Sequence, residues 1–95
     1  MTGCYTGTGQ NFNASVSVTE KGLVCQAWNS TTPHFHILSP KDHPEIGGGH
    51  NYCRNPGGQK VKPWCFTTDE NTEFDYCNIP RCGKLNLSVP FLKRS

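Results

Sequence analysis

Six cysteines in a chain of 95 residues constrain the fold more than any other feature of the sequence. They stand at Cys4, Cys25, Cys53, Cys65, Cys77 and Cys82, with 20, 27, 11, 11 and 4 residues between neighbours. No CxxC pair occurs, and only Cys77 and Cys82 approach the close spacing at which structural zinc ligands pair. Disulfides are the better reading. An even cysteine count in a short, loop-rich chain points to a covalently stapled framework and to an oxidising compartment, either secreted or on the outer face of a cell. Spacing alone does not choose among the possible pairings. The need for staples follows from size: a chain this short buries only about 60% of the surface its unfolded form exposes. Apolar residues are just 34% of this one, while glycine and proline number 10 and 7.

The same composition excludes several classes. A net charge of +2 with 17% charged residues lacks the concentrated basic patch of a nucleic-acid-binding domain. The longest apolar stretch, residues 85–92, is interrupted by Asn86, Ser88 and Pro90 and is far too short to span a bilayer, so no membrane insertion by this segment is expected. Met1 lies so close to Cys4 that no charged and apolar leader fits between them, and the chain is expected to be a segment of a longer protein. Sequons at Asn13, Asn29 and Asn86 are glycosylation candidates compatible with secretion.

The cysteines bracket residues 4–82 as the folded unit, with residues 1–3 as an N-terminal flank and residues 83–95 as a tail or linker. Residues 15–19 alternate apolar and polar, which predicts a short strand. Residues 63–67 and 73–77 flank the polar stretch 68–72, which predicts a hairpin. Successive side chains in a strand point to opposite faces. Trp64 and Phe66 therefore share a face, Phe74 and Tyr76 share one, and Cys65 and Cys77 point the other way, toward their bridges. At least part of the aromatic set is then driven to the outer face; burial of some rings under a loop is the competing reading.

These residues carry a resemblance. CYTGTG at 4–9, CQAW at 25–28, HNYCRNP at 50–56, PWCF at 63–66 and FDYC at 74–77, with the cysteine spacing, resemble a kringle domain. The resemblance implies a small disulfide-rich fold of loops and short antiparallel β-strands, with Cys4 bonded to Cys82, Cys25 to Cys65 and Cys53 to Cys77. Kringles often bind lysine, whose zwitterion needs an anionic pair for the ammonium, an aromatic trough for the methylenes and a cation for the carboxylate. By the resemblance, the anionic positions here are Gly57 and Gln59 and the cationic position is Glu73, so the site charges are lost and binding of free lysine is not expected. The trough remains as Trp64, Phe66 and Phe74. With Gly57, Gln59, Lys60 and Lys62 of the turn, these form the candidate binding face. Glu73, Asp69 and Glu70 are the carboxylates left to attract a lysine side chain in some other orientation.

PHFHIL at 33–38, GGGHNYCRNPGGQ at 47–59 and CFTTDEN at 65–71 are most similar to the kringle of receptor tyrosine kinase-like orphan receptors, with that of muscle-specific kinase a close competitor. This implies a non-catalytic extracellular interaction or spacer module of a single-pass receptor in Wnt-related signalling, contacting a protein partner or the adjacent cysteine-rich domain. The alternative is a kringle of a secreted haemostatic or growth-factor-like protein, binding a protein or a sulfated glycan. Lys60, Lys62, Lys84, Lys93 and Arg94 would supply the charge for a glycan. Other chemistry is weaker. His34, His36, His43 and His50 lack ligand spacing and read as surface or packing residues, so no metal and no other cofactor is expected. GTGQNF at 7–12 does not fit a phosphate loop, and no GxSxG element is present, so no catalytic residue is assigned and the chain does not read as an enzyme.

Overall fold

A computed structural model of the chain describes residues 3–83. Asn86, Lys84, Lys93 and Arg94 lie outside the described residues, as do Met1 and Thr2 of the flank and all of the expected tail beyond Gly83. Three disulfides join Cys4 to Cys82, Cys25 to Cys65 and Cys53 to Cys77, the pairing that the resemblance implied. The two inner bridges are buried and stacked, their four sulfurs lying within 4.8 Å of one another. All four are oxidised to bridges. Around this covalent centre pack Phe12, Trp28, Ile46, Trp64, Phe66 and Ile79. The outer bridge is half-buried, and backbone bonds close the two chain ends around it: the Tyr5 amide donates to the Pro80 carbonyl (3.0 Å) and the Cys82 amide to the Tyr5 carbonyl (2.8 Å).

Regular structure is sparse, as expected where staples substitute for ladders. Strand β1 (Trp64–Phe66) pairs antiparallel with β2 (Phe74–Tyr76), and two single 3-10 turns occupy Pro44–Ile46 and Pro56–Gly58. The strands are shorter than the predicted 63–67 and 73–77. The hydrogen bonding nonetheless runs one residue further at each end, from the Thr67 amide to the Glu73 carbonyl and from the Cys77 amide to the Pro63 carbonyl. The connecting loop is closed by its own polar side chains. The buried Thr67 hydroxyl donates to the carbonyls of Asp69 and Thr72, and both Asp69 carboxylate oxygens accept, from the Asn71 amide and the Thr72 hydroxyl.

Residues 15–19 do not form the predicted strand. Their carbonyls are taken one at a time by different segments, Val16 by the Cys53 amide (2.7 Å) and Ser17 by the Cys25 amide (3.0 Å), so no continuous partner exists and a single Val18–Val24 bridge remains. Alternation reported which side chains face inward, but a ladder also needs a second strand running alongside.

Register in the hairpin separates the side chains as the alternation required. Trp64 lies opposite Tyr76 and Phe66 opposite Phe74, while Cys65 lies opposite Asp75 on the face toward the bridges. The aromatic face, however, is largely covered: Trp64 is 4% exposed and Phe66 9%. Trp28 packs edge-on against both, with centroids 5.2 Å and 5.9 Å away, and its indole N–H donates to the Tyr52 carbonyl (2.7 Å). Of the four hairpin rings, only Phe74 and Tyr76 remain half-buried.

Candidate functional site

The segment CRNP shapes the site before any ligand chemistry enters. Arg54 lies alongside β1 through reciprocal backbone bonds with Trp64 (3.0 and 2.8 Å). Its guanidinium turns inward, where Nη1 donates to the carbonyls of Ala14 and Cys53 (2.7 Å each) and the group lies 5.4 Å from the centre of the Tyr52 ring. Burial lowers the Arg54 pKa from its ordinary value, the direction desolvation imposes on a cation.

Asn55 follows, and it is 0% exposed. Its amide nitrogen donates to the carbonyls of Thr8 (2.6 Å) and Lys60 (2.8 Å), while its amide oxygen accepts from the Lys60 backbone N–H (3.1 Å) and the Trp64 indole N–H (3.1 Å). An amide side chain has two donors and two acceptor positions, and all are used. One side chain thereby fixes the indole of Trp64 and the backbone of residue 60 relative to each other. Pro56 then opens the 3-10 turn, and Gly57 reverses the chain at φ 68°, a left-handed conformation natural to glycine.

Beyond this turn lies a groove of about 350 Å³, lined on its floor by Trp64, Phe66 and Phe74 and on its sides by Pro56, Gln59, Lys60 and Glu73. The rings meet edge to face, Trp64 to Phe66 at 5.0 Å and Trp64 to Phe74 at 5.7 Å. The far wall is the loop carrying Phe35, His36, Ile37 and Leu38. Gln26 anchors that loop: its side chain donates to the Ser30 and His34 carbonyls (2.9 Å each) and accepts from the His34 amide (3.0 Å). His34 in turn reaches the Asp69 carbonyl through Nε2 (2.7 Å). So held, His36 stacks flat on Phe66, with centroids 4.8 Å apart and planes 6° from parallel, which explains why Phe66 is covered. Phe35 and Ile37 project from the loop with 72% and 84% of their surface exposed.

Within the groove the aromatic floor is already in use. The Lys60 ammonium lies 3.8 Å from the centre of the Phe74 ring and 4.9 Å from that of Trp64. Both distances lie well within cation–π range, since a ring's quadrupole presents negative charge at its face. Lys62 pairs with Glu20 (3.4 Å) and His43 Nδ1 lies 3.9 Å from a Glu45 carboxylate oxygen, and among the described residues no carboxylate lies within pairing distance of Lys60.

The other predicted site residues divide accordingly. Gln59, Lys60, Trp64, Phe66, Glu73 and Phe74 come together at the groove, whereas Gly57 and Lys62 are not among its lining residues. The Lys62 ammonium turns instead toward Glu20 and the Tyr76 ring, 5.6 Å from its centre. Asp69 spends its carboxylate on its own loop. The histidines are engaged separately, His34 and His50 on the carbonyls of Asp69 and Glu45, His36 on the Leu38 amide and His43 beside Glu45. Asn13 and Asn29 are both exposed. Sequence reasoning missed the far wall, and its signal was available: HFHIL concentrates apolar residues between Pro33 and Pro40, where a loop would ordinarily be polar.

The family model of the kringle domain matches residues 4–82.

Proposed function

The chain belongs to the kringle family, and on that footing we propose that it is a receptor-ectodomain interaction module in which the family's lysine site has been lost. Kringle domains are generally non-catalytic protein-interaction modules, typically extracellular. What supports the loss is the position of Lys60, whose ammonium sits 3.8 Å over Phe74 on the very surface a ligand's methylenes and ammonium would use. The charges agree. Gly57 and Gln59 bring no carboxylate to the turn, and Glu73 brings an anion to the lip where a ligand carboxylate would need a cation. An incoming ammonium therefore meets like charge at one end of the trough and its carboxylate meets like charge at the other.

Calorimetric titration of the chain with 6-aminohexanoic acid tests the loss: no saturable heat is expected, and binding at millimolar concentration or tighter overturns it. The receptor setting, between a frizzled-like cysteine-rich domain and the membrane in Wnt-related signalling, rests on the resemblance of residues 33–38, 47–59 and 65–71. Its test is the full-length coding sequence. A downstream transmembrane segment and kinase domain are expected, and a trypsin-like domain in their place sinks the reading.

A further inference from the structure

We propose that the groove is a docking site for an extended peptide segment bearing a carboxylate next to an apolar side chain, with the Lys60 ammonium as its anion receptor. This rests on the reading of the chain as an interaction module with its lysine site lost, and it inverts the charge of the ligand.

The charge of the ligand follows from Lys60. Lys60 is held over two rings by cation–π attraction, and no carboxylate among the described residues lies within 4.0 Å of it. A ring face satisfies the charge only weakly in comparison with a charge-assisted hydrogen bond. Among the described residues Lys60 therefore has no anionic acceptor. A carboxylate supplies acceptors, whereas an ammonium supplies none and would be repelled by Lys60.

The apolar half of the ligand follows from the rim. Phe35 and Ile37 stand beside the groove almost fully exposed, and with the half-buried Phe74 they make an apolar border around one cation. An exposed apolar border around a polar centre is the usual composition of an interaction surface. Glu73, the one carboxylate among the lining residues, is exposed and directly precedes β2.

The test is nuclear magnetic resonance titration of the 95-residue chain, following the Trp64 indole and the amides of residues 35–38 and 60. Three capped tetrapeptides serve as probes: Glu-Phe-Glu-Leu, its Gln-Phe-Gln-Leu counterpart and Lys-Phe-Lys-Leu. Saturable shifts at these positions are expected with the acidic peptide, weakened roughly tenfold or more by either Lys60→Gln or the neutral peptide, and retained in Lys60→Arg. No saturable shift with the acidic peptide overturns the inference while leaving the loss of the lysine site intact. So does binding indifferent to Lys60→Gln. Preference for the basic peptide overturns both the inference and the loss. Response at Lys60 to a sulfated tetrasaccharide but to no peptide replaces a protein ligand with a glycan and also overturns it.

Discussion

Asn55 is the side chain on which both the fold and the groove depend, and replacing it separates the two contributions of an amide. In Asn55→Ala, four partners lose their bond at once: the carbonyls of Thr8 and Lys60, the Lys60 amide and the Trp64 indole N–H. The indole is enclosed with Trp64, and stranding it costs about 1–3 kcal/mol. The remaining three groups belong to exposed or half-buried residues that water can reach, so each loses only the net value of a bond, about 0.5–1.5 kcal/mol. The total is about 2.5–7.5 kcal/mol, a large part of the 5–15 kcal/mol that typically holds a small domain together. Asn55→Asp keeps the shape and the acceptor but turns the donor edge into an oxygen facing two carbonyls. Burial against those carbonyls raises the new carboxyl above its ordinary value of about 3.9. The folded state then prefers the protonated form. The variant is most stable below about pH 4 and loses stability as pH rises through the raised folded-state value. Guanidinium unfolding under non-reducing conditions, followed by tryptophan fluorescence, measures both effects as shifts in midpoint at constant slope. An alanine variant within about 1 kcal/mol of the parent, or an aspartate variant as stable at pH 7 as at pH 4, refutes the assignment of Asn55 as the organising residue.

Introducing carboxylates with Gly57→Asp and Gln59→Asp is expected to recruit the chain's own Lys60 rather than an external ligand, since a tethered group competes at an effective concentration on the order of millimolar. Calorimetry should detect 6-aminohexanoic acid only after Lys60→Ala and Glu73→Arg are added. Trp64→Ala should cost about 3–5 kcal/mol because the ring is core as well as floor, whereas Phe74→Ala should cost less, since Phe74 is only half-buried; thermal unfolding compares them. Gly9→Ala should cost about 2–4 kcal/mol, because at φ 79° the new Cβ would stand 2.6 Å from Pro63 Cδ and Cγ; denaturant midpoints measure it. Replacing Cys4 and Cys82 together by serine releases a loop spanning a sequence separation of 78, worth about 4.5 kcal/mol in the chain-entropy account; unfolding midpoints should move accordingly, with the inner bridges still formed by mass spectrometry.

Legibility in the sequence followed the range of the interactions. The hairpin at 64–76 was readable because its pattern is local: two short β-prone runs, a polar loop and alternation that separates Cys65 from the rings. The strand expected at 15–19 was not, because ladders need a partner and the carbonyls of Val16 and Ser17 are claimed by two unrelated segments. The fate of the rings was divided in the same way. Alternation assigned Trp64 and Phe66 to one face, but whether that face meets water depended on His36, 30 positions away from Phe66, arriving to stack on it.

The cysteine count, spacing and short motifs by themselves determined the disulfide-stapled class and the family, and the absence of carboxylates at Gly57 and Gln59 pointed to a lost ligand. Composition is enough for this because covalent staples and missing charges do not depend on where the rest of the chain goes. That Lys60 itself lies in the aromatic trough, while the neighbouring Lys62 pairs with Glu20, was decided only by tertiary structure. The two lysines are chemically identical and two residues apart. What distinguishes them is the frame supplied by Asn55, which fixes the backbone of residue 60 against the Trp64 indole and sets the direction in which that side chain leaves the turn.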